Sequence, residues 1–214
     1  QIIGARALEL AMSKARENGI AYVAVKNSNH FGATAPYGFA ASVAAMALLC
    51  GTNASPAMAP FGGRDFKIGN NPIGFAAPRS AGAPFMLDMA MSVAARGKMR
   101  KFRDAKEKMP IGWALDAKGN PTQDPTAGLD GFIQFIGGHK GYGLSLMVDI
   151  LAGLMSQGQF LDEVGEMWEE NASQRVSHFF IVIDPIRLIG SDKYYDRMDN
   201  FITTIKSSAP FQKD

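Results

Sequence analysis

The sequence has few of the residues that bind metal ions or form covalent cross-links. Its one cysteine, Cys50, cannot form an internal disulfide, and its position at the end of an apolar run favours a buried thiol. A free thiol fits a reducing compartment, and we expect a cytoplasmic protein. Three histidines are present, His30, His139 and His178, and they are far apart in the chain. Such dispersed ligands predict no metal site.

The sequence also lacks a strong excess of charge and a long apolar run. Lysine plus arginine number 22 and aspartate plus glutamate 20, a net charge of +2. This balance argues against a nucleic-acid partner, and the basic stretch at residues 98–108, interrupted by acids, predicts a solvated helix face. No apolar run approaches the roughly 18 residues that a membrane span needs. We therefore expect neither nucleic acid nor membrane as a partner.

The pattern that is present is an alternation of helical and strand-like segments. Apolar residues at helical spacing predict helices at residues 2–17, 35–47, 92–106, 144–154 and 194–205. Short apolar runs predict strands at residues 20–25, 47–52, 85–89 and 179–183, and residues 116–121 predict a turn between two short strands. This alternation favours an α/β fold, and we expect one domain over residues 1–214.

His30 lies in a loop that follows the first predicted strand. Loops at strand ends expose side chains on a rigid base, and a histidine exchanges protons near neutral pH. The surrounding residues are small or amides, Asn27, Ser28, Asn29 and Gly32. His30 is therefore a candidate acid or base, and a hydrogen-bonded structural histidine is the alternative.

Residues 137–143, Gly-Gly-His-Lys-Gly-Tyr-Gly, precede a predicted helix. Glycines permit close backbone approach to a ligand, a helix start offers unpaired amides, and Lys140 adds a positive charge. The segment is thus a candidate phosphate or pyrophosphate site, although its spacing is neither that of a P-loop nor that of the Rossmann motif. A glycine-rich helix cap is the alternative. Asp88 and Ser92, four residues apart, are predicted near one helix start, where capping explains either of them.

Seven segments in order resemble the type 2 malate/L-lactate dehydrogenase family. The resemblance runs from about residue 8 to residue 210. The segments are Asn27-Ser28-Asn29-His30-Phe31-Gly32-Ala33, Ala59-Pro60-Phe61-Gly62-Gly63, Gly69-Asn70-Asn71-Pro72-Ile73-Gly74, Asp88-Met89-Ala90-Met91-Ser92, Arg96-Gly97-Lys98, Gly119-Asn120-Pro121-Thr122-Gln123-Asp124-Pro125 and Gly138-His139-Lys140-Gly141-Tyr142-Gly143-Leu144.

The resemblance implies an NAD- or NADP-dependent oxidoreductase that acts on a small 2-hydroxy or 2-oxo acid. It also implies a homodimer and a family-specific, non-Rossmann dinucleotide fold with a mixed sheet flanked by helices. By similarity, His30 is the catalytic acid/base, and Asn71 lies in a substrate-binding segment where this chain has Asn70 in place of a threonine. The implied cofactor contacts are Asp88, Met89, Ala90, Ser92, His139, Lys140 and Gly141.

Family members carry segments that have no counterpart here. An upstream Ser-His-Gly with an arginine grips the substrate carboxylate, and a Pro-Gly-Glu segment lies near the cofactor downstream. We therefore expect this chain to be the central, NAD(P)-binding and catalytic part of a longer enzyme. The alternative is a truncated, catalytically silent relative that binds nucleotide.

Overall fold

The computed structural model describes residues 1–166 and 173–211, within which there are seven α-helices and eight strands. The helices are α1 (Ile2–Asn18), α2 (Ala35–Val43), α3 (Arg96–Asp104), α4 (Pro125–Asp130), α5 (His139–Ala152), α6 (Pro185–Ile189) and α7 (Ser191–Lys206). The strands are β1 (Ile20–Ser28), β2 (Ala47–Thr52), β3 (Ile73–Ala77), β4 (Phe85–Met89), β5 (Ala114–Leu115), β6 (Pro121–Thr122), β7 (Phe132–Ile133) and β8 (Val176–Ile183).

Five strands form the main sheet in the order β1-β8-β2-β3-β4. The α/β class, with a sheet flanked by helices, is confirmed, but every neighbouring pair in this sheet is antiparallel, whereas a mixed sheet was predicted. The β1–α2–β2 unit sets β1 and β2 in the same direction, as the alternation indicates. However, β8 lies between them and runs opposite to both. The sheet is therefore not the parallel sheet of a Rossmann fold.

The first helix and strand follow directly from local sequence. Gly19 ends α1 in the left-handed conformation (φ 84°), and its N–H donates to the carbonyl of Ala15. Glycine adopts this conformation without steric cost, so β1 begins at the next residue. The buried face of α1 includes Leu8 and Ala11, one helical turn apart.

The sheet has an apolar core on each face. One face packs against α1 and α2, through residues such as Leu48, Cys50 and Phe180. The other face packs against α5, through residues such as Phe179 and Val148. The alternation of side chains along β2 and β8 divides them between these two cores. Cys50 is 1% exposed, which confirms the predicted buried cysteine, and burial raises the pKa of its thiol to about 12.

A smaller antiparallel sheet, β6-β5-β7, lies beside the second core. Helices α3 and α4 pack together next to it, and Met99, Met109 and Ala114 are buried there. Helix α7 packs against the segment after β3, where the Tyr194 hydroxyl donates to the carbonyl of Pro78 (3.0 Å).

Several predicted boundaries differ from the structure, and three of them affect the residues singled out in the sequence. Strand β1 extends to Ser28, which pairs with Val176 after a register shift, so Asn27 and Ser28 belong to the strand and not to a loop. Helix α3 begins at Arg96, four residues later than predicted, because residues 90–95 form bends and a bridge to Phe135. Helix α5 begins at His139, five residues earlier than predicted. The other predicted strands and helices are present with bounds shifted by a few residues.

Candidate active site

One edge of the main sheet gathers most of the residues singled out in the sequence. Strands β1, β2 and β4 end at this edge and β3 and β8 begin there, because neighbouring strands alternate in direction. His30 follows β1, Ala90 and Ser92 follow β4, and Asn71 precedes β3. Residues far apart in sequence therefore lie along the same edge, from the outermost strand β1 to the outermost strand β4.

His30 is exposed, and its loop is held by backbone bonds on both sides. Its N–H donates to the Gln174 Oε1 (3.1 Å), and its Nδ1 accepts from the Gly32 N–H (3.0 Å). Because a neutral imidazole carries one hydrogen, a ring whose Nδ1 accepts has that hydrogen on Nε2. In this loop conformation His30 therefore presents Nε2 as a hydrogen-bond donor.

Phe31, the next residue, anchors the His30 loop in the core. Its ring stacks on the buried His178 ring with centroids 4.4 Å apart and planes 6° apart. The His178 Nδ1 is 2.7 Å from the Thr52 Oγ1, which ties this stack to the end of β2. Burial lowers the pKa of His178 to about 4, so this ring is neutral at physiological pH. His178 lies in β8, and no local sequence pattern indicates its contact with the loop.

Asp88 lies near the end of β4 and contacts the first residue of α2. Its Oδ2 accepts from the Ala35 N–H (2.9 Å), which satisfies one of the unpaired amides at that helix start. Ser92 is instead buried next to Phe135 and has no hydrogen-bond partner for its hydroxyl among the described residues. The prediction that Asp88 and Ser92 share one helix start is therefore wrong. Met89 and Ala90, between them, are half-buried.

The glycine-rich segment forms the amino-terminal end of α5. Gly137 and Gly138 have φ angles of 57° and 61°, in the left-handed region, and His139 and Lys140 that follow are exposed. The helix passes close to the Ile136 carbonyl at Gly141. A Cβ at this residue would lie 2.1 Å from that oxygen, so only glycine fits here. The segment is joined to the sheet edge, since the Ile136 N–H donates to the carbonyl of Met91 (2.9 Å).

Asn71 is fully buried, and its amide holds the framework together. Its Nδ2 donates to the carbonyl of Ser145 in α5 (3.0 Å), and its Oδ1 accepts from the Ala54 N–H after β2 (3.0 Å). Each polar atom of this amide could form one more hydrogen bond, but the side chain is 0% exposed and is therefore closed to a ligand. The geometry favours a positioning role for Asn71 over direct contact with substrate.

A second buried amide, which sequence reasoning missed, lies beneath the same edge. The Asn53 Nδ2 donates to the Asp149 Oδ1 (3.0 Å) and its Oδ1 accepts from the Ser177 N–H (2.8 Å). Burial raises the pKa of Asp149, while the bonds from Asn53 and Leu161 oppose that rise. These bonds join β2, β8 and α5 below the candidate site.

A cavity of about 210 Å³ opens beside this edge. Its polar lining comes from Ser55, Asn70, Ser92, Arg96, Arg100 and Glu166. Arg96 was part of a family motif without an assigned role, and neither arginine was predicted to contribute to a site. Their spacing of four residues on α3 places both on one helix face, which is the signal that was available.

Within residues 1–166 and 173–211, no group of three or more histidine, cysteine, aspartate or glutamate side chains is arranged to hold a metal ion. In the same ranges no helix has the length and apolar character needed to cross a membrane.

Comparison with known proteins identifies the family. All 214 residues match the family model described as malate/L-lactate dehydrogenase. The chain is 42% identical over 216 residues to a malate dehydrogenase of Pyrococcus abyssi, covering 97% of this chain and 59% of the relative. It is 38% identical over 207 residues to an L-sulfolactate dehydrogenase of Methanothermobacter thermautotrophicus, covering 97% of this chain and 60% of the relative.

The fold agrees with this relationship. The solved structure of a sulfolactate dehydrogenase from Methanocaldococcus jannaschii matches with a TM-score of 0.92 and 36% identity, over 100% of this chain and 61% of that chain. The present chain thus spans about three fifths of the length of the relatives it matches. On the family model, the sequence identities and the shared fold together, the chain belongs to the malate/L-lactate dehydrogenase family.

Proposed function

We propose that this chain is the cofactor-binding and catalytic part of an NAD- or NADP-dependent oxidoreductase. Its reaction transfers a hydride between the nicotinamide and the hydroxyl-bearing carbon of a small 2-hydroxy acid, and the reverse reaction reduces the 2-oxo acid. The observation that carries this proposal is that His30, the residues after β4 and the amino-terminal end of α5 all lie along one edge of the sheet. The names of the relatives support a hydroxy-acid substrate.

The residues at this edge have the chemistry that a dinucleotide requires. Lys140 and the first amides of α5 provide positive potential for a pyrophosphate, and the two left-handed glycines before them leave the backbone accessible. The exposed Asp88 carboxylate is an acceptor for a ribose hydroxyl, and its Oδ2 is already oriented by the Ala35 N–H. When bound, the nicotinamide supplies or accepts the hydride.

His30 exchanges the proton of the substrate hydroxyl, and the exchange takes place at Nε2. A neutral ring can accept a proton at Nε2 only if its own hydrogen is on Nδ1. The imidazolium that then forms keeps that hydrogen on Nδ1. The Gly32 N–H occupies Nδ1 in the present loop. Proton transfer at Nε2 therefore requires that the hydrogen bond from the Gly32 N–H to Nδ1 first be broken. Polarising a substrate carbonyl by donation from Nε2–H leaves that bond intact.

The test combines cofactor binding with a His30 variant. NADH and NADPH are titrated separately against the purified protein, with nicotinamide fluorescence as the signal, and 2-oxo acids are then screened for turnover. We expect His30→Ala to lower kcat by roughly 10²- to 10⁴-fold, the usual contribution of a general acid or base, with cofactor Kd unchanged. Asn29→Ala, an exposed neighbour, serves as the matched control and should retain activity.

Each result distinguishes between functions. Saturable binding of one dinucleotide followed by turnover supports the oxidoreductase and decides between NAD and NADP. Saturable binding with no turnover of any 2-oxo acid would favour the silent nucleotide-binding relative. Full activity in His30→Ala would contradict the role of His30.

A further inference from the structure

We propose that the cavity lined by Ser55, Asn70, Ser92, Arg96, Arg100 and Glu166 is a binding subsite for one anionic group, a carboxylate, sulfonate or phosphate. This inference rests on the proposed function, because the anion belongs to the substrate or the cofactor of the same reaction. We name it the arginine cavity. It is distinct from the amino-terminal end of α5, which the proposed function uses for the pyrophosphate.

The charges of the arginine cavity favour an anion. Arg96 and Arg100 lie one helical turn apart on α3 and both line it, whereas Glu166 is the one acid in its described lining. The Arg96 Nη2 donates to the carbonyl of Leu129 (2.8 Å), which fixes the guanidinium, but its buried Nε has no partner among the described residues. Neither arginine forms an ion pair within residues 1–166 and 173–211.

A buried hydroxyl in the lining also has no partner. Ser92 is 6% exposed, and its Oγ forms no hydrogen bond with any described residue. Because this hydroxyl also lines the cavity, it is available to pair with a group bound there. A serine hydroxyl and a fixed guanidinium are together the donors that recognise carboxylate, sulfonate and phosphate oxygens.

A short chain of hydrogen bonds connects the arginine cavity to His30. The backbone N–H of His30 donates to the Gln174 Oε1 (3.1 Å), and the Gln174 Nε2 donates to the Oγ of Ser55 in the cavity wall (3.4 Å). The Ser55 hydroxyl in turn donates to the carbonyl of Gly165 (2.7 Å). One glutamine side chain thus links the cavity wall to the backbone of His30, the candidate acid/base.

This proximity limits the anion to two sources. One source is the second acid group of a dianionic hydroxy acid, whose first acid group lies beside the reacting carbon. The other source is the additional phosphate of a phosphorylated dinucleotide. Both present oxygens that accept from arginine and serine, so a substitution in the cavity weakens either of them.

The experiment removes one charge without disturbing the fold. Arg100→Gln is the main variant, because Arg100 is exposed and has no structural bond among the described residues. Ser92→Ala is a second, nearly isosteric variant. Arg103→Gln on the same helix is the matched control, since Arg103 binds Asp104 and does not line the cavity. Four quantities are measured: KM for a two-acid and a one-acid 2-oxo substrate, oxaloacetate and pyruvate, and Kd for NADPH and NADH.

We expect Arg100→Gln to weaken the binding of either oxaloacetate or NADPH, the two ligands with the additional acid group, by about tenfold or more. This is the effect of losing a charge-assisted hydrogen bond. A rise in KM for oxaloacetate with that for pyruvate unchanged assigns the cavity to the substrate. A rise in Kd for NADPH with that for NADH unchanged assigns it to the cofactor. The proposal is overturned if, in an active enzyme, Arg100→Gln and Ser92→Ala change neither the KM for oxaloacetate relative to that for pyruvate nor the Kd for NADPH relative to that for NADH.

A direct binding measurement keeps the two proposals separate. Malonate and inorganic phosphate are titrated by calorimetry against the wild-type protein, Arg100→Gln and Arg103→Gln. Saturable binding that Arg100→Gln abolishes and Arg103→Gln preserves supports the anion subsite even if no dinucleotide binds, a result that would sink the proposed function alone. Binding that is equal in all three proteins, or absent from all three, overturns the subsite.

Discussion

His178 is a single buried residue on which the position of the His30 loop depends. It stacks on Phe31, contacts Thr52 through Nδ1, and is held neutral by burial, with its pKa lowered to about 4. An unfolded chain protonates this ring near pH 6.5, so between pH 6.5 and 4 the unfolded state binds more protons than the folded state. The contribution of the neutral ring to stability is therefore complete above pH 6.5 and decreases as the pH falls.

We expect this linkage to lower the free energy of unfolding by about 3 kcal/mol between pH 7 and pH 4. The measurement is urea denaturation at several pH values, for the wild type and for His178→Gln, which cannot titrate. The variant should be less stable at pH 7, and the difference between the two proteins should shrink as the pH falls. Parallel pH profiles for the two proteins would show that His178 is not the titrating group.

The sequence predicted part of this residue-level arrangement. His30 was predictable as an exposed histidine, because it follows a strand and its neighbours are small. The stack beneath it was not predictable, since Phe31 and His178 are separated by most of the chain and meet only when β8 enters the sheet. The buried roles of Asn71 and Asn53 were hidden for the same reason, because all their partners lie in other elements.

At the scale of elements, local patterns determined most helices and strands but not their arrangement. The helical spacing in α1 and the glycine after it were sufficient to predict that helix and its end. The start of α5 was missed because Gly141 and Gly143 are typical of loops, and the close contact with the Ile136 carbonyl that requires glycine is not visible in sequence. The place of β8 between β1 and β2 depends on pairing across more than a hundred residues, which no local pattern encodes.

The packing of α2 on the sheet gives a prediction at this scale. A Cβ at Gly38 would lie 2.7 Å from the Met86 sulfur and 2.8 Å from the Ala76 Cβ, so the helix approaches β3 and β4 through this glycine. We expect Gly38→Val to destabilise the protein by about 1–3 kcal/mol, as overpacking of a core does. Ala40→Val, at an exposed position of the same helix, is the matched control.

Thermal and urea denaturation of both variants measure this effect. The control should lower the free energy of unfolding by no more than about 0.7 kcal/mol, the loss of helix propensity when valine replaces alanine. If Gly38→Val is as stable as Ala40→Val, then α2 does not pack on the sheet as closely as described.

At the scale of the whole molecule, large apolar side chains remain at the surface of several helices, among them α1 and α7. Ile2 and Ile3 of α1 are 74% and 51% exposed, and Phe201 and Ile205 of α7 are 54% and 64% exposed. Large apolar side chains that stay exposed on a helix are candidates for an interface. The homodimer implied by the family resemblance is still a prediction, and these side chains are the feature of the chain that supports it.

We expect the protein to sediment at about twice the 23.0 kDa mass of one chain. An interface that buries apolar side chains is stabilised by the hydrophobic effect, which salt does not screen. Charge pairs at a surface are weakened by high salt, because salt shortens the Debye length. The dimer should therefore persist in 1 M sodium chloride and dissociate only on dilution. Sedimentation velocity over a hundredfold range of concentration, at low and high salt, tests both expectations. A monomer mass throughout would contradict the dimer, and a dimer lost at high salt would indicate a polar interface elsewhere on the surface.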